Sequence, residues 1–218
     1  MTAQFWEPLR LSLEVAVVAS MVVIITGILA GRWMAGRSFR GKALVETIFL
    51  LPLVLPPTVV GFLLIVWFGR NGWAGQAIEW LFNQPVIFTW WAAVIAAIVV
   101  AFPLMYQSAK TGFESIDDDI EDAARVDGAG EFRVFLSVST PLAIKAIISG
   151  GILSFARALG EFGATLMFAG NIPGVTQTAP LAIYVAMDSG NMQLAWMWVA
   201  SMIGISFLML MLVYRARV

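Results

Sequence analysis

Glu121-Asp122-Ala123-Ala124-Arg125-Val126-Asp127-Gly128-Ala129-Gly130, continuing to Thr140-Pro141, is a polar and acidic island between long apolar segments. Helix-forming residues come first, a glycine pair follows, and a proline closes the stretch. Around the island 60% of the chain is hydrophobic and only 12% is charged. A soluble fold of 218 residues could not bury that much apolar side chain, so lipid must solvate much of the surface. An ordered polar element in such a chain needs a partner to dock on.

Working outward, five apolar segments are long enough to cross roughly 30 Å of hydrocarbon as helices. They lie near 11–30, 48–68, 88–106, 142–169 and 194–214. The first is too long for a signal-peptide core and no basic run precedes it, so it reads as a span. Five spans put the two termini on opposite sides. Arg32, Arg37, Arg40 and Lys42 follow the first span; Lys110, Arg125, Arg133 and Lys145 surround the third loop; Arg215 and Arg217 come after the last. The other side has only Arg10 and Arg70 among its flanks. Positive charge marks the cytoplasm, which predicts N-terminus out, C-terminus in and the island inside. The expected fold is therefore all-α and integral to the membrane, one transmembrane domain over 1–218. A short cytoplasmic helix falls between spans three and four, in a loop at about 110–141.

Trp33, Trp67, Trp73, Trp80, Trp90, Trp91, Trp196 and Trp198 fall near span ends, where amphipathic rings suit the headgroup layer. Pro52, Pro56 and Pro57 interrupt the second span. The carbonyls they free are tolerated only under protein or beside an aqueous cavity, so this segment belongs inside the bundle.

As a helix, the island puts Ile116, Ile120, Ala123 and Ala124 on one face and Asp118, Asp119, Asp122 and Arg125 elsewhere. Ser115 is the expected N-cap, with the following acids complementing the helix dipole. Gly128 and Gly130 allow a sharp turn, after which Phe132, Val134 and Phe135 begin a second apolar face. So short a helix is marginal alone in water. A membrane-surface helix would usually be basic; this one is acidic, which favours a groove on another protein.

Arg157 and Glu161 are the charges deep in a span, and four residues apart they share a helix face. Two readings stand: a mutual ion pair fixing the helix to its neighbours, or a role in an anion pathway, with Arg157 supplying charge and Glu161 orienting it. Gly150, Gly151, Gly160 and Gly163 allow close helix approach. The segment 171–193 is polar without a basic residue, as an external docking loop would be.

The island resembles the E-A-A-x-x-x-G loop of ATP-binding-cassette importer permeases. Glu121, Ala123, Ala124 and Gly128 match that loop and Pro141 matches its trailing proline, with Asp122 standing between the Glu and the Ala pair. A second set of motifs is similar to molybdate permease subunits, with sulfate and tungstate permeases as close relatives. These are Ala156 through Thr165 (A-R-A-L-G-E-F-G-A-T), A-G-N-I-P-G at 169–174, T-Q-T-A-P-L at 176–181, and L-P-L-V-L-P-P-T at 51–58. The resemblance covers nearly the whole chain. It implies a homodimeric transmembrane unit in a bacterial cytoplasmic membrane, two cytoplasmic ATPase subunits, and an extracytoplasmic oxyanion-binding protein. It also implies that Glu121, Ala123, Ala124, Asp127, Gly128 and Pro141 couple to the ATPase, and that Pro56, Pro57 and Thr58 join Arg157 and Glu161 as pathway or helix-pairing candidates.

Other chemistries fall away on composition. Histidine and cysteine are absent, which removes thiol, imidazole and zinc chemistry, and no catalytic or metal site is expected. A net charge of −1 without a basic stripe predicts no nucleic-acid partner. No G-x-x-x-x-G-K-[ST] sequence occurs, so ATP and Mg belong on a partner subunit. The leading expectation is an importer permease for molybdate; the same machine carrying sulfate or tungstate is the alternative. An ATP-independent secondary transporter is less favoured, since in-span acids beyond Glu161 and repeated halves are not evident.

Overall fold

Helices are the only regular secondary structure among the described residues. A computed structural model describes residues 2–217, with side chains at 5–211 and 215. The side chains of Arg217 and Tyr214, assigned above to the end of the last span, lie outside the described residues. The order is α1 (Thr2–Met34), α2 (Lys42–Val54), α3 (Pro57–Phe68), α4 (Trp73–Phe82), α5 (Trp90–Glu114), α6 (Asp118–Val126) and α7 (Glu131–Val134). A π-turn over Phe135–Ser139 leads into α8 (Thr140–Leu142), then α9 (Ile144–Leu159), α10 (Gly163–Phe168), α11 (Ala179–Asp188) and α12 (Met192–Arg217).

Helix α5 is the axle of the bundle. Ala92, Ala93, Ala96, Ala97, Ala101 and Ala109 are all fully buried on it, and such small side chains let several neighbours approach closely. Helix α1 lies against α5 through Gly27 and Gly31. A Cβ at Gly27 would come 2.6 Å from Met105 Cγ, and one at Gly31 would come 2.8 Å from the Lys110 backbone nitrogen. Helix α9 packs on α5 by the same means, with Gly112 against Ala146 and Gly150 against Ser108. Helix α2 crosses the same axle with aromatic edges, Phe49 standing edge-on to Phe102 and Tyr106.

Three helices are long and apolar enough to span alone among the described residues: Phe5–Met34, Trp90–Glu114 and Met192–Met211. The other two expected spans are broken. Lys42–Val54 and Pro57–Phe68 meet at 116°, because Pro56 and Pro57 cannot continue the α2 hydrogen-bond ladder. The segment expected at 142–169 divides into α9 and α10 across Gly160, Glu161 and Phe162, and α9 itself is bent by 75° from Glu131–Leu142. The π-turn before that bend has a local cause. Pro141 has no N–H for the carbonyl four residues back, and Thr140 N–H reaches Phe135 O, five residues back.

Several expectations need correction. The loop bounded at about 110 begins later, because α5 remains helical to Glu114. Ser115 does not cap the island helix: it closes α5, its hydroxyl donating to Gly112 O at 2.7 Å. Asp117 is the N-cap, its Oδ1 accepting from Asp119 N–H at 3.1 Å. The segment 171–193 is not one loop, since α11 lies within it and buries Ala179, Leu181, Ala182 and Ala186. Trp198 leaves the headgroup ring as well; it is buried and donates its indole N–H to Phe5 O at 2.9 Å, fastening α12 to α1.

The α1–α5 seam yields a stability prediction. Gly31→Val forces a Cβ to within 2.8 Å of the Lys110 backbone nitrogen and of Ala109 Cβ, neither of which can swing aside, and such overpacking costs about 1–3 kcal/mol. Gly204 has open space around it, so Gly204→Val is the matched control. Thermal unfolding in detergent should show a lowered midpoint for Gly31→Val and an unchanged one for Gly204→Val.

Candidate functional site

Helix α6 is built as a short rigid projection. Asp117 caps it, Asp118, Asp119 and Glu121 occupy its positive end, and Arg125 lies in its last turn. Its far end closes in a Schellman arrangement, with Gly128 N–H donating to Arg125 O and Ala129 N–H to Ala124 O, each at 3.0 Å. The reversal puts Gly128 at φ +88°, which explains the glycine there; Gly130, at φ −70°, needs no such freedom.

Glu121 holds this projection to the rest of the chain. It is 6% exposed and collects three donors: Arg32 Nη2 at 2.8 Å, Ser139 Oγ at 2.7 Å and Arg125 Nη2 at 3.1 Å. Arg32 comes from the end of α1, and Ser139, fully buried, from the π-turn leading to α9. Arg125 also reaches Asp122 at 2.6 Å and Glu131 at 2.8 Å, which ties α6 to α7. Burial pushes the Glu121 carboxyl up. The hydrogen bonds from Arg32, Ser139 and Arg125, together with the Arg32 charge, outweigh burial and leave its pKa below the ordinary value.

The remaining candidates of the island divide by exposure. Ala123 and Asp127 are exposed, Ala124 is half-buried, and Pro141 is exposed on α8. Beside them stand apolar side chains open to solvent, Val126 at 87% and Phe132 at 75%, with Ile120 also exposed. Glu121 faces inward. In the motif the acid stands six residues before the glycine, and that position is Asp122, whose side chain is largely exposed. Counting from Gly128 alone would have found it. Arg32 and Ser139 were missed as partners, because nothing in the spacing of residues 32, 121 and 139 signals proximity.

A second site forms where the two broken spans meet. A Cβ on Gly163 would lie 2.8 Å from Pro57 Cβ, and Gly61 of α3 packs on Ala164 and Met167 of α10. The break in one span therefore rests on the break in the other. Pro56, Pro57 and Thr58, all exposed, are brought beside the 161–164 turn. Glu161 is buried; its Oε2 accepts from Arg157 Nη1 at 2.6 Å and its Oε1 from Ala164 N–H at 2.8 Å. Arg157 is only partly covered. The carboxylate thus pairs with a cation and caps the new helix, satisfying an N–H that the break would otherwise strand.

Comparisons agree with this architecture. A family profile described as the binding-protein-dependent transport system inner membrane component matches residues 24–216. The YvgM protein of Bacillus subtilis (strain 168) is 66% identical over 215 residues, covering 99% of this chain and 95% of that one. The molybdenum transport system permease protein ModB of Escherichia coli (strain K12) is 44% identical over 184 residues, 84% and 80% of the two chains. The sulfate transport system permease protein CysW of Synechococcus elongatus is 33% identical over 206 residues, 94% of this chain and 72% of CysW. Among solved structures, the MetNI methionine ABC transporter in inward-facing conformations matches with a TM-score of 0.73 at 15% identity, covering 100% of this chain and 94% of that one. At that identity the likeness speaks for the fold alone.

The Glu121 cluster generates a pH prediction. Its folded pKa is depressed, so its contribution is fully present above the unfolded carboxyl value of about 4.3 and is lost as pH falls through the lower folded value. Hydrogen-exchange protection factors across residues 117–139 should hold steady from pH 8 to 5 and fall below about pH 4. Glu121→Gln should loosen the same residues at neutral pH by about 2 kcal/mol, the worth of charge-assisted bonds to a buried group.

Proposed function

Because the chain belongs to the binding-protein-dependent transport system inner membrane components, we propose that it carries molybdate inward while a separate ATPase supplies the energy. It is the transmembrane permease of an ATP-driven importer, a multi-pass protein of a bacterial cytoplasmic membrane. Molybdate is favoured as cargo because the molybdenum-transport relative is closer in sequence than the sulfate-transport relative. Sulfate and tungstate, tetrahedral dianions like molybdate, are the alternatives for the same machine.

The observation that carries the reading is α6: a polar helix whose exposed side bears Ala123 and Val126, with Phe132 of α7 exposed beside it, while its inner side is fastened through Glu121. Exposed apolar side chains on a capped, braced helix suit insertion into a groove of another protein. The occupant we propose is a cytoplasmic ATPase subunit, one per permease chain, with ATP and Mg bound there. Basic residues cluster at the α6 end of the bundle, supporting N-terminus out, C-terminus in and α6 in the cytoplasm. A second copy of the chain completes the unit, and an oxyanion-binding protein docks on the outer face.

In this mechanism ATP-driven closure of the ATPase pair moves α6. Glu121 passes the displacement through Arg32 to α1 and through Ser139 and the π-turn to α9. Helices linked this way move as bodies, exchanging outward- and inward-open arrangements. The paired breaks at Pro56–Pro57 and Gly160–Phe162 lie where such motion could open a path, with Arg157 supplying a positive charge beside it.

The test is uptake into liposomes holding the chain with its ATPase and binding protein. ATP-dependent molybdate uptake that excess sulfate barely inhibits is the expected result. Uptake without ATP overturns the importer reading, and sulfate dominance changes the cargo. Ala124→Arg, on the docking helix, should abolish co-purification of the ATPase while leaving membrane insertion intact; normal recovery of the ATPase with that variant would falsify the docking assignment.

A further inference from the structure

Gln107 and Thr111 stand one turn apart on α5 and both are exposed. An amide and a hydroxyl facing hydrocarbon would each go unsolvated, at a cost on the order of 2–7 kcal/mol, so this face meets water or protein rather than lipid tails. Beside it α9 carries Lys145 and Ser149, on a helix face that continues through Leu153 to Arg157 at four-residue spacing. Between the two helices lies an open groove of about 400 Å³ lined by Gln107, Ser108, Thr111, Lys145, Ser149 and Leu153. It lies apart from the α6 cluster and from the Arg157–Glu161 break.

The lining chemistry is one-sided. Among its described lining residues the only formal charge is the Lys145 ammonium, and none carries a carboxylate. Lys145 makes no ion pair among the described residues, whereas Lys110, one turn before the end of α5, is held by Glu46 and Glu114. Gln107, Ser108 and Thr111 line the groove beside that cation, and their amide and hydroxyls can donate hydrogen bonds. The class of ligand matching one ammonium and several neutral donors is a small oxyanion. From Lys145 to Arg157 is twelve residues, about 18 Å along a helix. The two cations therefore mark the loop end and the far end of one helix face.

We propose that this α5–α9 groove is the release station for the transported oxyanion, with Lys145 as its electrostatic anchor. The proposal rests on the importer reading above and adds a place where the cargo pauses before leaving. Lysine suits the task. Its ammonium is a strongly hydrated point charge without the rigid bidentate fork of arginine, so it attracts a dianion and lets it go. Arg157, locked to Glu161, presents a charge already partly neutralised.

The chain contains no cysteine, so Thr111→Cys introduces a single thiol into the groove. The variant is assembled with cysteine-free ATPase and binding-protein subunits in liposomes and treated with an anionic and a cationic thiosulfonate reagent of similar size. The anionic reagent should react roughly tenfold faster, the effect of one nearby positive charge. Molybdate should slow that reaction, and Lys145→Gln should remove both the charge preference and the protection. Equal rates for the two reagents, or no reaction while the exposed control Arg40→Cys reacts, overturn the proposal. If Thr111→Cys does not assemble, Gln107→Cys reports on the same groove. ATP-driven molybdate uptake by the unsubstituted chain is measured alongside. Its loss would fail the importer reading, whereas its presence with a negative labelling result would fail the groove alone.

Discussion

A free peptide group in hydrocarbon has no water to bond with, and this constraint governs how the chain folds. Two of its expected spans are broken, one by Pro56 and Pro57 and one across Gly160, Glu161 and Phe162. Each break strands backbone groups that lipid cannot satisfy. The chain places the breaks on each other, Gly163 against Pro57, and supplies Glu161 as an acceptor for Ala164 N–H. Glu161 is itself tolerable there because Arg157 offsets its charge. The arrangement depends in turn on α5, whose buried alanines leave room for broken helices to come close on several sides.

The same economy of space shapes the polar end of the molecule. Glu121 is buried where an acid alone would be unfavourable, and three donors from α1, α6 and the π-turn make it stable as a carboxylate. The result is a small helix that cannot easily rotate independently of α1 and α9. Its outward side presents Ile120, Ala123 and Val126 among exposed carboxylates, Asp118, Asp119, Asp122 and Asp127, a face that another protein can cover. Rigidity inward and an open outer face suit a part that receives a push and passes it on.

Charge placement gives the bundle a polarity along α9. Arg157 is committed to Glu161, and Lys145, near the start of the helix, is not paired among the described residues. A cation that is partly neutralised and one that is free exert different pulls on a dianion. That difference follows from spacing, because Glu161 stands one helical turn from Arg157 whereas no carboxylate stands one turn from Lys145.

The sequence alone determined the membrane class, the rough position of the long apolar segments, the polar island as a separate helix, and the proline interruption of the second span. These follow from composition and local periodicity, which act over a few residues and can be read along the chain. Gly128 was legible for the same reason, since a helix stop needing positive φ calls for glycine within one turn. Only the tertiary structure decided that Glu121 faces inward, that Arg32 and Ser139 are its partners, that α11 is a buried helix rather than a loop, and that the fourth span breaks at Glu161. Each of these depends on side chains tens of residues apart meeting in space. The separation of 89 positions between Arg32 and Glu121 leaves no periodic trace of a contact that exists because Gly27 and Gly31 let α1 lie close to α5.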